Sequence, residues 1–348
     1  MIGWETLALD PPRAVEPAAG RARLREQLED FQVDERLGFE PSGQGEHWLL
    51  RVRKRNANSG WVAAELARQA GVRPFEVGYA GLKDRRAVTT QWFTVPARRG
   101  GVQEWAGRSG EGYEVIEAHR HARKLPRGAL AGNQFTLVLR GFTGSREALE
   151  RRVAEIGREG VPNYFGPQRF GRELGNLAVL RGELVRGERG FAYSAARSLI
   201  FNAVLAERLA QGHWNVLLPG ERANLEGSNS TFRVEALDDT LQQRLATLDI
   251  HPTGPLWGEG ESGVSGAVAE LEAAVAARYP ALLELLRADR LASARRPLRM
   301  VVRELALRWL PEEGACELQF SLRGGSFATT VVRELVHCED ASGAEEHA

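Results

Sequence analysis

The stretch "GYAGLKDRRAVTTQWFTV", residues 78–95, sets one carboxylate, Asp84, in a turn with Lys83, Arg85 and Arg86, between two apolar runs. An aspartate in a G-x-K-D turn is ordinarily a turn-former whose carboxylate bonds nearby amides. Its neighbours suggest more. Gly81 lets the backbone approach a ligand, and three adjacent cations would keep the carboxylate ionised. Thr89, Thr90 and Gln91 add neutral hydrogen-bonding groups. A carboxylate held anionic among cations suits nucleophilic or base work on a polyanionic substrate.

Other chemistries are poorly supplied. His119 and His121 fall on one face of an expected strand, but no third ligand is near and Arg120 and Arg123 would repel a cation. Cys338 beside His337 has no partner pair, so no metal site is expected. "GGSFA" (324–328) matches a GxSxG elbow only in part, and Ser326 reads as a helix cap. The Gly-rich "GEGESGVSG" (258–266) fits no phosphate-cradling motif and reads as a loop.

The chain has 348 residues, 43% hydrophobic and 26% charged, enough for a buried core and two domains. "MIGWETLALDPPRAVEP" lacks the basic-then-apolar pattern of a signal peptide. No apolar run approaches the ~18 residues of a membrane span. Two cysteines, Cys316 and Cys338, are too few for a disulfide framework or zinc ribbon. A cytoplasmic setting is expected. The net charge is +0, so nucleic-acid binding requires positive charge sorted onto one face. "RVRKR" (51–55) and "HRHARKLPRG" (119–128) hint at such sorting, while "CEDASGAEEHA" at the C-terminus is acidic. Of 46 Lys+Arg residues only Lys54, Lys83 and Lys124 are lysine. A lysine directly before Asp84 therefore suggests a compact ammonium where a guanidinium fork would not fit.

The elements that must position Asp84 are legible in outline. "DFQVDERL" (30–37), "HWLLRVRKR" (47–55), "QWFTVP" (91–96), "NQFTLVLRGF" (133–142) and residues 316–323 alternate as strands. "NSGWVAAELARQAG" (58–71) and "SREALERRVAEIGREG" (145–160) read as helices. From "GVPNYFGPQRFGRELGN" (160–176) to about residue 305 the pattern is mostly amphipathic helix. This organisation predicts an insertion: residues 1–160 and 306–348 as one domain, and 161–305 as a second whose ends meet.

Residues 78–95 resemble the catalytic signature of the TruD family of tRNA pseudouridine synthases, G-x-K-D-x-x-A-x-T-x-Q. "EDFQVDERLGFEPSGQGEHWLLRVRK", "ARKLPRGALAGNQFTLVLR", "GVPNYFGPQRFG" and "GGSFATTVVREL" resemble further family segments, in family order over nearly the whole chain. The resemblance implies an α/β (α+β) fold: a catalytic domain with a mixed, largely antiparallel sheet, and an inserted α/β domain forming the other wall of a cleft. It implies isomerisation of uridine to pseudouridine in tRNA, in bacteria at position 13, by a monomer without cofactor or metal. The catalytic aspartate falls on Asp84, and substrate contacts on Phe31, Asn133, Phe135 and Phe327. Arg25, Lys83, Lys124 and Arg169 are candidates for supporting or phosphate contacts. Arg25 and Leu28 replace the lysine and proline that often precede the family's "EDF", and Arg25 is a candidate for bidentate pairing with the carboxylate. Two other classes are compatible with the residues alone: a non-catalytic RNA-binding module, and a metal-independent hydrolase using Asp84.

Overall fold

The structure, a computed structural model, describes residues 2–98, 101–183, 189–288 and 290–341. Its contacts divide the chain into two compact units. One comprises Ala18–Ala154, Val302–Ala328 and Leu335–Ala348, and the other Met1–Pro17, Glu155–Val301 and Thr329–Glu334. The first 17 residues thus group with the intervening segment, not with the strands that follow them.

Strands β1 (Gly20–Leu24), β2 (Phe31–Leu37), β3 (His47–Arg55), β4 (Gly78–Tyr79), β5 (Val88–Pro96), β6 (Ser109–Gly110), β7 (Tyr113–His121) and β8 (Leu130–Gly144) precede the second unit. Within that unit lie β9 (Val161–Pro162), β10 (Arg222–Leu225), β11 (Thr231–Arg233), β12 (Ile250–Leu256), β13 (Ala294–Pro297) and β14 (Arg299–Met300). The first unit resumes with β15 (Arg303–Trp309), β16 (Cys316–Arg323) and β17 (His337–Asp340).

The first unit is built on a mixed sheet in the order β15-β16-β8-β2-β5-β3-β7-β6, with β4 beside β5 and β1 beside both β8 and β17. Pairing is antiparallel except for β2 with β5 and β1 with β17. Strand β3 shows why "RVRKR" is not one charged surface. Side chains alternate along a strand, so Val52 and Lys54 go inside while Arg53 and Arg55 stay exposed. The helix Ser59–Ala70 turns Val62, Ala63, Leu66 and Ala67 inward at helical spacing. Gly71 ends it at φ 64°, in the left-handed conformation that glycine adopts without Cβ strain. This face buries Leu50, Phe93, Trp105 and Val115 beneath it. Truncating Leu66 to Ala would cost ~2–5 kcal/mol in so closed a core.

The second unit packs around the helix Arg189–Ala210, whose Leu199, Ile200, Phe201 and Leu205 are buried with Phe170 and Leu282. It also contains a four-stranded sheet, β11-β10-β12-β13, where the sequence pattern suggested mostly helix. Strand β12 reads "IHPTGPL", with two prolines and a glycine, residues depleted from strands. Its neighbours are too short for an alternation to register.

Candidate active site around Asp84

Asp84 lies in the loop between β4 and β5, where Gly78 pairs with Thr94. A Cβ on Gly78 would stand 2.5 Å from Thr94 Oγ1 and 2.7 Å from the Leu125 carbonyl, so only glycine lets these segments close. The loop is tied from below. Lys54 Nζ donates to the Asp84 carbonyl at 3.0 Å and to the Ala57 carbonyl at 2.9 Å. Gln91 Nε2 donates to the Gly81 carbonyl at 2.6 Å. Ser59 Oγ donates to Gln91 Oε1 at 2.7 Å and accepts the Lys83 N–H at 3.1 Å. Thr89, Thr90 and Gln91 are all buried, so Gln91 braces the loop from inside the protein. Nothing lies within 4 Å of a Gly81 side-chain position, which leaves that flank of the loop open.

Lys54 is fully buried. Burial pushes its pKa down to about 8, with nearby Lys83 adding to the shift and Asp84 opposing it. The ammonium satisfies two carbonyls that would otherwise be costly to bury.

The Asp84 carboxylate, in contrast, is half exposed. Its Oδ2 receives Arg25 Nη2 at 3.3 Å; no hydrogen bond from a described residue reaches Oδ1. Arg25 also pairs through Nη1 with Asp340, and its guanidinium carbon sits 3.9 Å above the Phe31 ring centroid. The fork therefore spans two carboxylates and does not grip Asp84 bidentately. Arg25 has φ 62°, a left-handed conformation that costs a non-glycine residue roughly 1–2 kcal/mol. Contacts on three sides hold it there.

Lys83 departs from expectation. Its ammonium turns away from the carboxylate and bonds Glu35 Oε1 at 2.7 Å, in a pair with side-chain exposures of only 8% and 0%. Glu35 Oε2 accepts the Trp92 N–H at 2.8 Å. The cation beside Asp84 is Arg25, from the far end of β1. Lys83 instead fixes the loop to β2 in a space suited to a compact ammonium.

Asn133 on β8 stands opposite Glu35 on β2, on the sheet face that Lys83 reaches. It is nearly buried, and its Oδ1 has no hydrogen-bond partner. Phe31 and Phe135 are buried to 2% and 5% exposure. Their rings meet edge to face at 6.3 Å, and Phe135 stacks on Phe320 at 5.4 Å. Phe327, just beyond the Gly324–Gly325 turn, is 43% exposed. Of the three phenylalanines it alone offers an open ring.

Two further candidates have other partners. Lys124 Nζ donates to the Phe75 carbonyl at 2.5 Å, and Arg169 belongs to the other unit, where it donates to Ser194 Oγ at 3.0 Å. His121 Nδ1 accepts the Ser42 N–H and its ring stacks on Phe39, while His119 faces Glu117. Among the described residues no group of three or more His, Cys, Asp or Glu could hold a metal ion. No described helix is long and apolar enough to cross a membrane. Lys54, Glu35 and Asp340 had not been singled out for this site. The inward phase of Lys54 on β3 was a readable signal for the first.

The fold recurs in the crystal structure of a TruD candidate from Methanosarcina mazei, with a TM-score of 0.76 and 21% identity over 95% of this chain and 97% of that one. The model of the family described as tRNA pseudouridine synthase D (TruD) matches residues 15–194 and 189–335. A protein of Methylococcus capsulatus named tRNA pseudouridine synthase D is 47% identical over 334 residues, 94% of each chain. One of Pseudomonas aeruginosa with the same name is 43% identical over 332 residues, 93% of each chain. The chain belongs to the TruD family of tRNA pseudouridine synthases. Isomerisation of uridine to pseudouridine is the reaction of that family.

Proposed function

We propose that this protein isomerises uridine to pseudouridine in tRNA, at position 13, as a cytoplasmic monomer with Asp84 as the catalytic carboxylate and no cofactor or metal. The observation that carries the reading is a half-exposed carboxylate with one unengaged oxygen, on a loop braced from below, in a chain with full-length TruD relatives. In this reading the unit containing Asp84 is catalytic and the segment 161–305 is an insertion that helps bind RNA.

The C1′–N1 bond breaks with its electron pair going to the uracil, the uracil turns, C5 bonds to C1′, the C5 proton leaves to solvent, and N1 takes up a proton in its place. Two first steps are open to Asp84: attack on C1′, or removal of a proton from C2′. Both need an anionic oxygen within ~3 Å of the sugar. Arg25 holds Oδ2, which leaves Oδ1 for the substrate. Extruding the uridine from its stack costs a few kcal/mol, and an aromatic face returns ~1–3 kcal/mol per base. Phe327, with its exposed ring, is assigned that contact in preference to Phe135. Asn133 Oδ1, lacking an internal donor, is assigned to accept the uracil N3–H during rotation. Phe31 supports Arg25 from beneath. Lys124 and Arg169 are assigned to phosphates, positioning the RNA without reading its sequence.

The test is incubation with unmodified tRNA transcripts, followed by base-specific mapping of pseudouridine. Conversion at position 13 with unchanged RNA mass is expected. RNA cleavage, or binding without conversion, overturns the proposal.

A further inference from the structure

A cavity of about 590 Å³ in the second unit is lined by Phe165, Arg169, Arg189, Tyr193, Arg197 and Arg296, among others, and no carboxylate is among its described lining residues. Phe165 and Arg169 come from "NYFGPQRFG", a motif that the Asp84 site leaves unused. Two of the arginines are partly buried. Arg296 lies 4.2 Å above the Phe165 ring and donates to Asn163 Oδ1 at 2.6 Å, yet its Nε is buried without a partner. Arg197 donates to the Leu256 and Ala292 carbonyls at 2.8 and 3.0 Å, and its Nε is likewise unpartnered. Burial lowers the pKa of both, that of Arg296 to about 10 with Arg169 adding like-charge repulsion. None of the four arginines has a carboxylate partner among the described residues.

Guanidinium groups do not shed their charge to relieve such crowding in proteins. Relief has to come from an anion. The apolar wall of Phe165, Tyr193, Leu256 and Leu291 keeps the local dielectric low, which strengthens any charge pairing made there. The volume exceeds that of a bare phosphate and suits a sugar–phosphate unit.

We propose that this cavity seats a sugar–phosphate stretch of the RNA backbone, with Arg169, Arg189 and Arg197 on the phosphate and Arg296 supporting them from behind the Phe165 ring. The assignment rests on the reading that the substrate is tRNA. It adds a site where affinity depends on phosphate and not on base identity.

The test uses the full chain and unmodified tRNA, with dissociation constants measured across a salt series. Arg169→Gln and Arg189→Gln replace exposed side chains and spare the partly buried pair. Each should weaken tRNA binding and flatten the slope of log Kd against log salt by about 0.7–0.9, the loss of one phosphate contact. Arg287→Gln, outside the cavity, is the control and should leave the slope as it was. Variants that melt with wild type but keep its Kd and slope overturn the proposal. So does thermal stabilisation by inorganic phosphate that the variants abolish while tRNA affinity stays unchanged, since the cavity would then serve a free anion. Binding is read whether or not turnover follows. Tight, salt-dependent binding without pseudouridine would sink the activity and leave this site standing; normal turnover with an unaltered slope in the variants would do the reverse.

Discussion

Lys54 holds the main chain of Asp84 and leaves its side chain free: the ammonium bonds the Asp84 carbonyl at 3.0 Å while the carboxylate stays half exposed. Position and reactivity are thus carried by different atoms of one residue, and substitutions can separate them.

Asp84→Asn removes the charge but neither the carbonyl that Lys54 grips nor the shape of the side chain. The loop should persist. The chemical step should fall by roughly four orders of magnitude or more, about 5 kcal/mol of barrier. Tritium placed at C5 of uracil should enter water with wild type and stay on the RNA with the variant. Substantial release by Asp84→Asn would end the case for this carboxylate.

Arg25 combines a left-handed backbone with a two-carboxylate fork. Arg25→Ala and Arg25→Gly both delete the fork, and each should lower kcat by about 100-fold, ~3 kcal/mol. Their stabilities should differ. Glycine relieves the φ strain that alanine keeps, so the Gly variant should be more stable by ~1–2 kcal/mol. Equal denaturation midpoints would show that the strain is absent in solution.

Phe327 and Phe135 should fail in different assays. Phe327→Ala removes an exposed ring, so melting should hardly change while kcat/KM drops about 5- to 150-fold, ~1–3 kcal/mol. Tyrosine there should restore much of it. Phe135→Ala leaves a hole between Phe31 and Phe320 and should cost ~3–5 kcal/mol of stability. An unaltered melt for Phe135→Ala would place that ring in the substrate path.

Lys54 predicts a pH signature. Its pKa is about 8 when folded and 10.5 ordinarily, so between these values the unfolded chain binds more protons than the folded one. Stability contributed at this position therefore rises with pH across that window, by at most ~1.4 kcal/mol per unit, and is flat below about pH 8. The difference in unfolding free energy between wild type and Lys54→Gln should climb from about pH 8 to 10.5. A constant difference there would contradict the buried ammonium.

What the sequence disclosed, and what it hid, follows from the range of the interactions. Strand β3, the helix Ser59–Ala70 and strand β16 have long regular periods, and each formed close to the expected limits. Strands β10–β13 are short or proline-bearing and form through pairing with one another, against their own propensities. The Asp84 loop stands out by its own motif, whereas the groups that hold Asp84, Lys54 and Arg25, come from distant segments. Arg25 was identified, but its second partner, Asp340, is reached only through the β1–β17 pairing. Lys54 read as part of a basic run and Lys83 as a cation for Asp84 until the fold turned both inward, and the exposure of Phe135 depended on a ring from β16.

That β1–β17 pairing also sets a schedule. Asp340 follows Arg25 by 315 residues, so a ribosome adding ~5–20 residues per second needs roughly 15–60 s to travel from one to the other. Once β8 has been made β1 has that strand to pair with, but the edge awaiting β17 stands open until the end, a template for pairing with another nascent chain. The segment Glu155–Val301, made in between, has its sequence complete before β15, β16 and β17 leave the tunnel. Maturation of the Arg25 fork is therefore tied to translation reaching residue 340, and a chain stalled earlier carries Asp84 without its finished clamp.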